Sequence, residues 1–394
     1  MTFPPQPHRS PQPAQPQQPQ QPVPPVPPMY PVRPARPVAP AWRWQVTRVP
    51  RAYHESFPPY QRPRLRPAVD VFFWTWLVLT VIGLGFAAVM VIGGMLVTGP
   101  GPALLSGAIG ILCTVVVWAV LSRLLIYRGT PLLLAGAAVL WGGTAAVLLG
   151  GFTSSGHLEQ LAYTWNVPEL SWSLAGAWPE ETAKVLGVWL LLHIGRTWWN
   201  RPWHGLVAGM LIGTGFEFFE SSLYAVTFAP MHAESDISGV LEMWVSRLVA
   251  GPLLHLICTG IAGLGVGVAV YAAGLGRGRR IAWAGGCWLA AFAVHALWNL
   301  DTGGGAGAVS TTDVVQMVLA WGSGAALLVW SVVRCRREAR ALAGRGLYPA
   351  VTVYRKVPVA PPVPPVQPVQ PAPWLRPGPW QGPRQGFPPG PAGG

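Results

Sequence analysis

Residues 71–97 read VFFWTWLVLTVIGLGFAAVMVIGGMLV, without one charged side chain. As a helix, a run of about 20 apolar residues is long enough to cross roughly 30 Å of hydrocarbon. A soluble core does not accommodate such stretches well, because too little polar residue remains to cover its surface. Similar runs recur downstream, and their lengths place further spans at about 103–126, 130–151, 178–195, 204–229, 244–273, 281–300 and 312–333. The expected fold class is therefore all-α: a polytopic transmembrane helix bundle of about eight spans. The fourth and seventh spans carry polar residues that a hydropathy window penalises.

Composition agrees with a membrane solvent. The chain is 51% hydrophobic and only 10% charged, against about 25% charged residues in soluble domains. A net charge of +13 raises the question of a nucleic-acid partner. The distribution argues against one, because the arginines sit at the ends or in short loops with no interleaved aromatic stacking pattern. The bilayer is the expected partner, with basic tails near anionic headgroups. Cys113, Cys258, Cys287 and Cys335 form no CxxC pair, so neither a disulfide framework nor a thiolate zinc site is expected.

The ends differ from the middle. Residues 1–68 are of low complexity, the first 30 alternating Pro and Gln, and residues 345–394 are again Pro-rich; both read as disordered tails, locally polyproline II, able to dock partners with aromatic grooves. Between them, residues 69–337 form the expected membrane domain. The first apolar segment begins only near Val71, so no cleavable signal peptide is expected. Arg62, Arg64, Arg66, Arg123, Arg128, Arg196, Arg201, Arg277, Arg279, Arg280, Arg334, Arg336, Arg337 and Arg340 fall in one set of loops and flanks. The alternate loops, about 98–102, 152–177, 230–243 and 301–311, hold no Lys or Arg. The positive-inside rule then places both termini in the cytoplasm of a multi-pass cell-membrane protein.

Charged residues inside a bilayer cost at least about 2.5–3.5 kcal/mol each and usually mark function. The fourth span opens AWPEETAK, where Lys184 lies i+4 from Glu180 and i+3 from Glu181, within reach of both. The fifth reads GTGFEFFESS, with Glu217 and Glu220 on roughly one face. The sixth reads RLVAGPLLHLICTG, in which Arg247, Gly251, His255 and Thr259 recur every four residues along one stripe, with a kink expected at Pro252. The seventh reads AVHALWN, with His295 and Asn299 at i,i+4. Counting about 1.5 Å per residue from the Arg-free side, Glu180 and Glu181 lie just below the surface, His295 about 8 Å down, and Glu220 and His255 about 15 Å down. All can face one cavity in the outer half of the bilayer. His157, His193, His204 and His232 fall near the surfaces, outside that set.

Such a set supports two chemistries. A carboxylate can activate water while Lys, Arg, His or Asn donors stabilise an oxyanion. Alternatively two His and one Glu can hold Zn²⁺ with a position left for water; His255, His295 and Glu220 suit that arrangement, with Glu181 as base. No HExxH is present, and the residues leave the choice between zinc and no metal open.

The motifs resemble those of the PrsW family of bacterial intramembrane proteases, within the larger clan of CAAX-processing and bacteriocin-immunity-type membrane proteases. Its EExxK appears as Glu180, Glu181 and Lys184; its GFxxxE as Gly215, Phe216 and Glu220; its Arg–Pro–His stretch as Arg247, Pro252 and His255; its HxxWN as His295, Trp298 and Asn299. Glu217, where a small residue is typical, and Ser221, where Asn is typical, depart from the pattern. The resemblance covers about 70–335. It implies an intramembrane endopeptidase, usually described as a metalloprotease, cleaving single-span membrane proteins or membrane-bound peptides near the outer face, with anti-sigma-factor-like proteins as one substrate type. A proton-coupled transporter or channel and a non-catalytic scaffold are the alternative readings of the same polar cluster.

Overall fold

The computed structural model describes residues 42–47, 67–152, 155–196, 198–272, 275–301, 310–344 and 353–358. Within the membrane domain the described residues form helices joined by short turns: α1 (Val71–Thr98), α2 (Pro100–Ser122), α3 (Leu132–Trp141), α4 (Val147–Phe152), α5 (Ser155–Thr164), α6 (Trp178–Ile194), α7 (Pro202–Phe228), α8 (Asp236–Ala250), α9 (Leu254–Tyr271), α10 (Arg277–Trp298) and α11 (Thr311–Gly344). Start signals are local. Asp70 caps α1 by accepting the Phe73 N–H, and proline occupies the first turn of α2, α6 and α7, where a missing donor costs nothing.

Among the described residues, seven helical stretches are long and apolar enough to cross a membrane: α1, α2, Leu132–Gly151, Pro202–Met231, α9, α10 and Thr311–Ala341. α3 and α4 join through a π turn, Gly142–Ala146, into that third stretch. α6 is not among the seven. At 17 residues it is shorter than each of the seven, and it carries both glutamates and the lysine of EETAK. The protein is thus an all-α polytopic membrane bundle, with α6 wedged among α1, α4, α7, α9 and α10.

The expected sixth span, 244–273, is two helices. α8 ends at Ala250 and α9 begins at Leu254. The physical reason is Pro252, which disfavours helix in the residue before it and supplies no donor. Gly251 accordingly leaves the helix at φ −145°, ψ 57°, and Leu253 takes a left-handed φ of 62°. The sequence anticipates a kink, whereas the structure has a break. Arg247 therefore reaches the site from a separate, amphipathic helix.

α7 and α9 form the centre of the bundle. They pack backbone against backbone, because a side chain at Gly205, Gly209 or Gly213 would strike the carbonyls of Gly263, Thr259 or His255. Glycine every fourth residue on one face permits this approach. It also sets the register that brings the last part of α7 beside the start of α9.

Two strands lie outside the helical bundle's sequence range. β1 (Trp42–Thr47) pairs antiparallel with β2 (Val353–Pro358), Trp42 opposite Pro358 and Thr47 opposite Val353. Both segments fall within tails read from sequence as disordered, and this pairing corrects that reading for twelve residues, six in each strand. WRWQVT and VYRKVP are rich in aromatic and β-branched residues, and their one proline sits at a strand end, where no ladder donor is lost. The other expected tail residues, 1–41, 48–66, 345–352 and 359–394, lie outside the described residues.

Candidate active site

A cavity of about 750 Å³ opens among α4, the π turn Ser173–Ala177, and helices α6 to α10. Glu180, Glu217, Glu220, Arg247, His255, His295 and Asn299 all contribute to its wall. The residues singled out from four separate motifs therefore converge.

The two consecutive glutamates of α6 differ in access, as the 100° turn between adjacent helical residues requires. Glu181 is fully buried. Its Oε1 accepts from Lys184 Nζ at 3.0 Å and from His295 Nδ1 at 3.0 Å, and its Oε2 accepts from Thr259 Oγ1 at 3.3 Å. Glu180 keeps 14% of its side chain exposed toward the cavity. A Cβ on Gly150 would strike it, so α4 packs directly against its stem.

Lys184 is buried, with its ammonium 3.1 Å from Glu180 Oε2, 3.0 Å from Glu181 Oε1 and 2.9 Å from His255 Nδ1. The Phe216 ring lies beneath it, 3.7 Å away. An ammonium only donates, so His255 Nδ1 accepts, and the ring proton sits on Nε2. That Nε2–H donates to Glu220 Oε2 at 3.0 Å. His295 likewise gives its Nδ1–H to Glu181, which leaves the Nε2 lone pair facing Glu180.

Glu220 also pairs with Arg247, whose Nε donates to Ser221 Oγ at 3.2 Å and whose guanidinium stacks on Tyr224. Glu217 does a different job. Its Oε2 accepts the backbone N–H of His255 at 2.9 Å. α9 has no side-chain cap of its own, so Glu217 satisfies one of its free donors from across the α7–α9 contact. Asn299 closes α10 and donates to the Trp172 carbonyl at 3.4 Å, on the cavity wall.

Three side chains on the cavity wall have the chemistry of a metal-ligand set. Single ligand atoms of Glu180, His255 and His295 lie within 4.8 Å of one another. Glu180 Oε2 is 3.8 Å from His255 Nδ1 and 3.9 Å from His295 Nε2. Zinc bonds of about 2.0–2.1 Å in a tetrahedron separate ligand atoms by roughly 3.4 Å, so a small contraction suffices. Each imidazole already has a carboxylate behind it, Glu220 or Glu181, as metal-binding histidines usually do. The residues fit Zn²⁺. One feature opposes it: Lys184 and an ion cannot both use His255 Nδ1.

The carboxylate in this cluster is Glu180, where spacing alone suggested Glu220; Glu220 instead stands behind His255 and is held by Arg247. Sequence reasoning missed the roles of Tyr224 and Thr259. Their i+4 spacing from Glu220 and His255 was the available signal. The histidines set aside stay outside: His193 stacks on Phe72, His204 accepts two backbone N–H groups at 200–201, His232 pairs with Glu242, and His157 is exposed.

The family model for PrsW family intramembrane metalloprotease matches residues 130–334. No curated protein and no solved structure matches the chain.

Proposed function

The chain belongs to the PrsW family of intramembrane metalloproteases, and on that premise we propose that it hydrolyses peptide bonds of single-span membrane proteins or membrane-bound peptides in the cavity between α6 and α10. The observation that carries the reading is the convergence of Glu180, His255 and His295 on its wall. In this reading those three residues hold Zn²⁺. When bound, the ion polarises the scissile carbonyl and acidifies water. Glu181 and Glu220 fix the two imidazoles with their lone pairs inward. Of the glutamates on the cavity wall, Glu180 and Glu220 are partly exposed, whereas Glu217 is buried. With Glu180 given to the ion, Glu220 takes the proton of the attacking water, loosening from Arg247 as it does. Arg247 and Asn299 supply donors for the developing oxyanion. Glu181, fully buried with three donors upon it, is a positioning residue in this scheme rather than the base.

Lys184 beside His255 Nδ1 favours a second reading, in which no metal binds. Glu180 is then the base, and the lysine holds His255 and both α6 carboxylates in place.

The purified full chain in bicelles, with a panel of single-span substrates, separates the two. The zinc reading expects about one Zn²⁺ per chain, chelator-sensitive cleavage, and loss of both metal and activity in Glu180→Ala, His255→Ala and His295→Ala. Cleavage that persists in protein shown to hold no zinc overturns it in favour of the metal-free reading. Absence of cleavage across the panel by folded, zinc-loaded protein counts against the substrate class.

The finer topology is part of the same proposal. α6 makes the eighth crossing, supported by its central packing, and both termini lie in the cytoplasm, supported by the arginine distribution and the β1–β2 pair. The cavity then opens in the outer half of the bilayer, where an anti-sigma-factor-like substrate would be cut. Any cytoplasmic partners of the Pro-rich tails would meet them on the opposite side.

A further inference from the structure

A second hollow, of about 400 Å³, lies between α10 and α11 over α9, away from the catalytic wall. Its lining is almost wholly apolar, with Arg279 and Ser331 as the polar exceptions. Trp283 and Trp330 form its sides, and the guanidinium of Arg334 stands over both rings, 4.4 Å and 5.5 Å from their centroids. From Arg279 to Ala290 the groove follows α10 for about 16 Å.

The arginines at this end divide their work. Arg280 is spent on the fold, donating from Nε to the Leu275 carbonyl and from its two terminal nitrogens to those of Ala269 and Ala272, which closes the C-terminus of α9. Arg279 is exposed at the mouth of the groove. Glu338, one turn beyond Arg334 on α11, feels the Arg334 charge and offsets part of it, whereas Arg279 stands in the groove wall itself. The neighbouring outer faces of α10 and α11 are apolar, with Leu289, Val329 and Trp330 exposed, and they meet hydrocarbon in a bilayer. Gly286 lines the groove, and a side chain there would touch nothing within 4 Å.

A hydrocarbon-lined slot with cations, a hydroxyl and indoles at one end matches one ligand chemistry. We propose that this groove binds an anionic phospholipid from the leaflet on the arginine-rich side, its phosphate on Arg279 and Arg334 and one acyl chain along α10 past Gly286. Basic pockets between transmembrane helices take anionic headgroups, and the tryptophans suit the interfacial depth of the glycerol region. The proposal does not depend on the proteolytic reading, because no residue of the groove belongs to the catalytic wall.

Full-length protein in dodecylmaltoside is titrated with phosphatidylglycerol and with phosphatidylcholine of the same acyl chains, and bound lipid is counted by native mass spectrometry. Wild type is expected to prefer phosphatidylglycerol by on the order of tenfold. Arg279→Ala, an exposed position that leaves the packing intact, abolishes that preference. Gly286→Leu, which fills open space, lowers retention of both lipids together. Soluble glycerol phosphate does not bind, which separates a lipid headgroup from a free phosphate. Equal retention of the two lipids by wild type overturns the proposal, and so does an undiminished preference in Arg279→Ala. Melting curves confirm that each variant is folded, so loss of lipid is not mistaken for loss of protein.

Discussion

Glu181 and Glu217 are both buried carboxylates whose oxygens accept donors from another helix. Neither needs to touch substrate to matter. Glu181→Gln keeps an acceptor oxygen for His295 and Lys184 but removes the negative charge that strengthens both bonds. We expect cleavage to fall about 10–100-fold, the usual cost of losing the group behind a metal-binding histidine, while KM for a single-span substrate stays near wild type. Glu217→Ala leaves the His255 N–H buried without its acceptor, a loss of about 1–3 kcal/mol, read as a lower melting temperature. Glu217→Gln keeps a carbonyl oxygen for that N–H and is expected to restore most of the stability; a Gln variant as unstable as the Ala variant rules out the capping role. The EExxK, HxxWN and glutamate positions were legible because helical period places them on inward faces. The exchange of Glu180 for Glu220 in the histidine cluster was not legible. It depends on Arg247 claiming Glu220 from a helix of its own. Glu217 read as an oddity because its partner is a backbone donor, which exists only where α9 starts afresh.

Among the elements, the α7–α9 contact positions His255. Gly209 and Gly213 face backbone carbonyls, which cannot rotate aside as a side chain can. Gly209→Val or Gly213→Val is therefore expected to force the helices apart, costing about 1–3 kcal/mol or more, with loss of thermal stability and of His255-dependent activity together. The same change at Gly285, which has nothing within 4 Å, is expected to leave the melting curve unmoved and serves as the control. Apolar run length revealed most helices to within a few residues. It failed at 251–253, because a hydropathy window sums straight across a proline, and it undervalued α6, whose charges are neutralised by partners on other helices. The π turns also escaped it, since five residues do not perturb an apolar run.

For the molecule as a whole, the β1–β2 ladder joins segments from the two tails, on either side of every membrane crossing. On the proposed topology both strands lie on one side of the bilayer, as an even number of crossings would place them. Epitope tags on the two termini are expected to be protected or digested together in sealed vesicles of defined orientation; one protected and one digested refutes both the ladder and the eighth crossing. The arginine distribution raises the same expectation from sequence, whereas the pairing of two short segments separated by the entire domain was beyond any local pattern. Lys184 carries a consequence at this scale. A chain leaving the ribosome has no zinc, and a cluster of unopposed carboxylates would resist threading into lipid. With its own ammonium resting against Glu180, Glu181 and His255, the metal-free protein carries an internal counterion for that cluster. On the zinc reading the lysine would have to leave His255 Nδ1 for an ion to take its place, so loading and rearrangement would be one event.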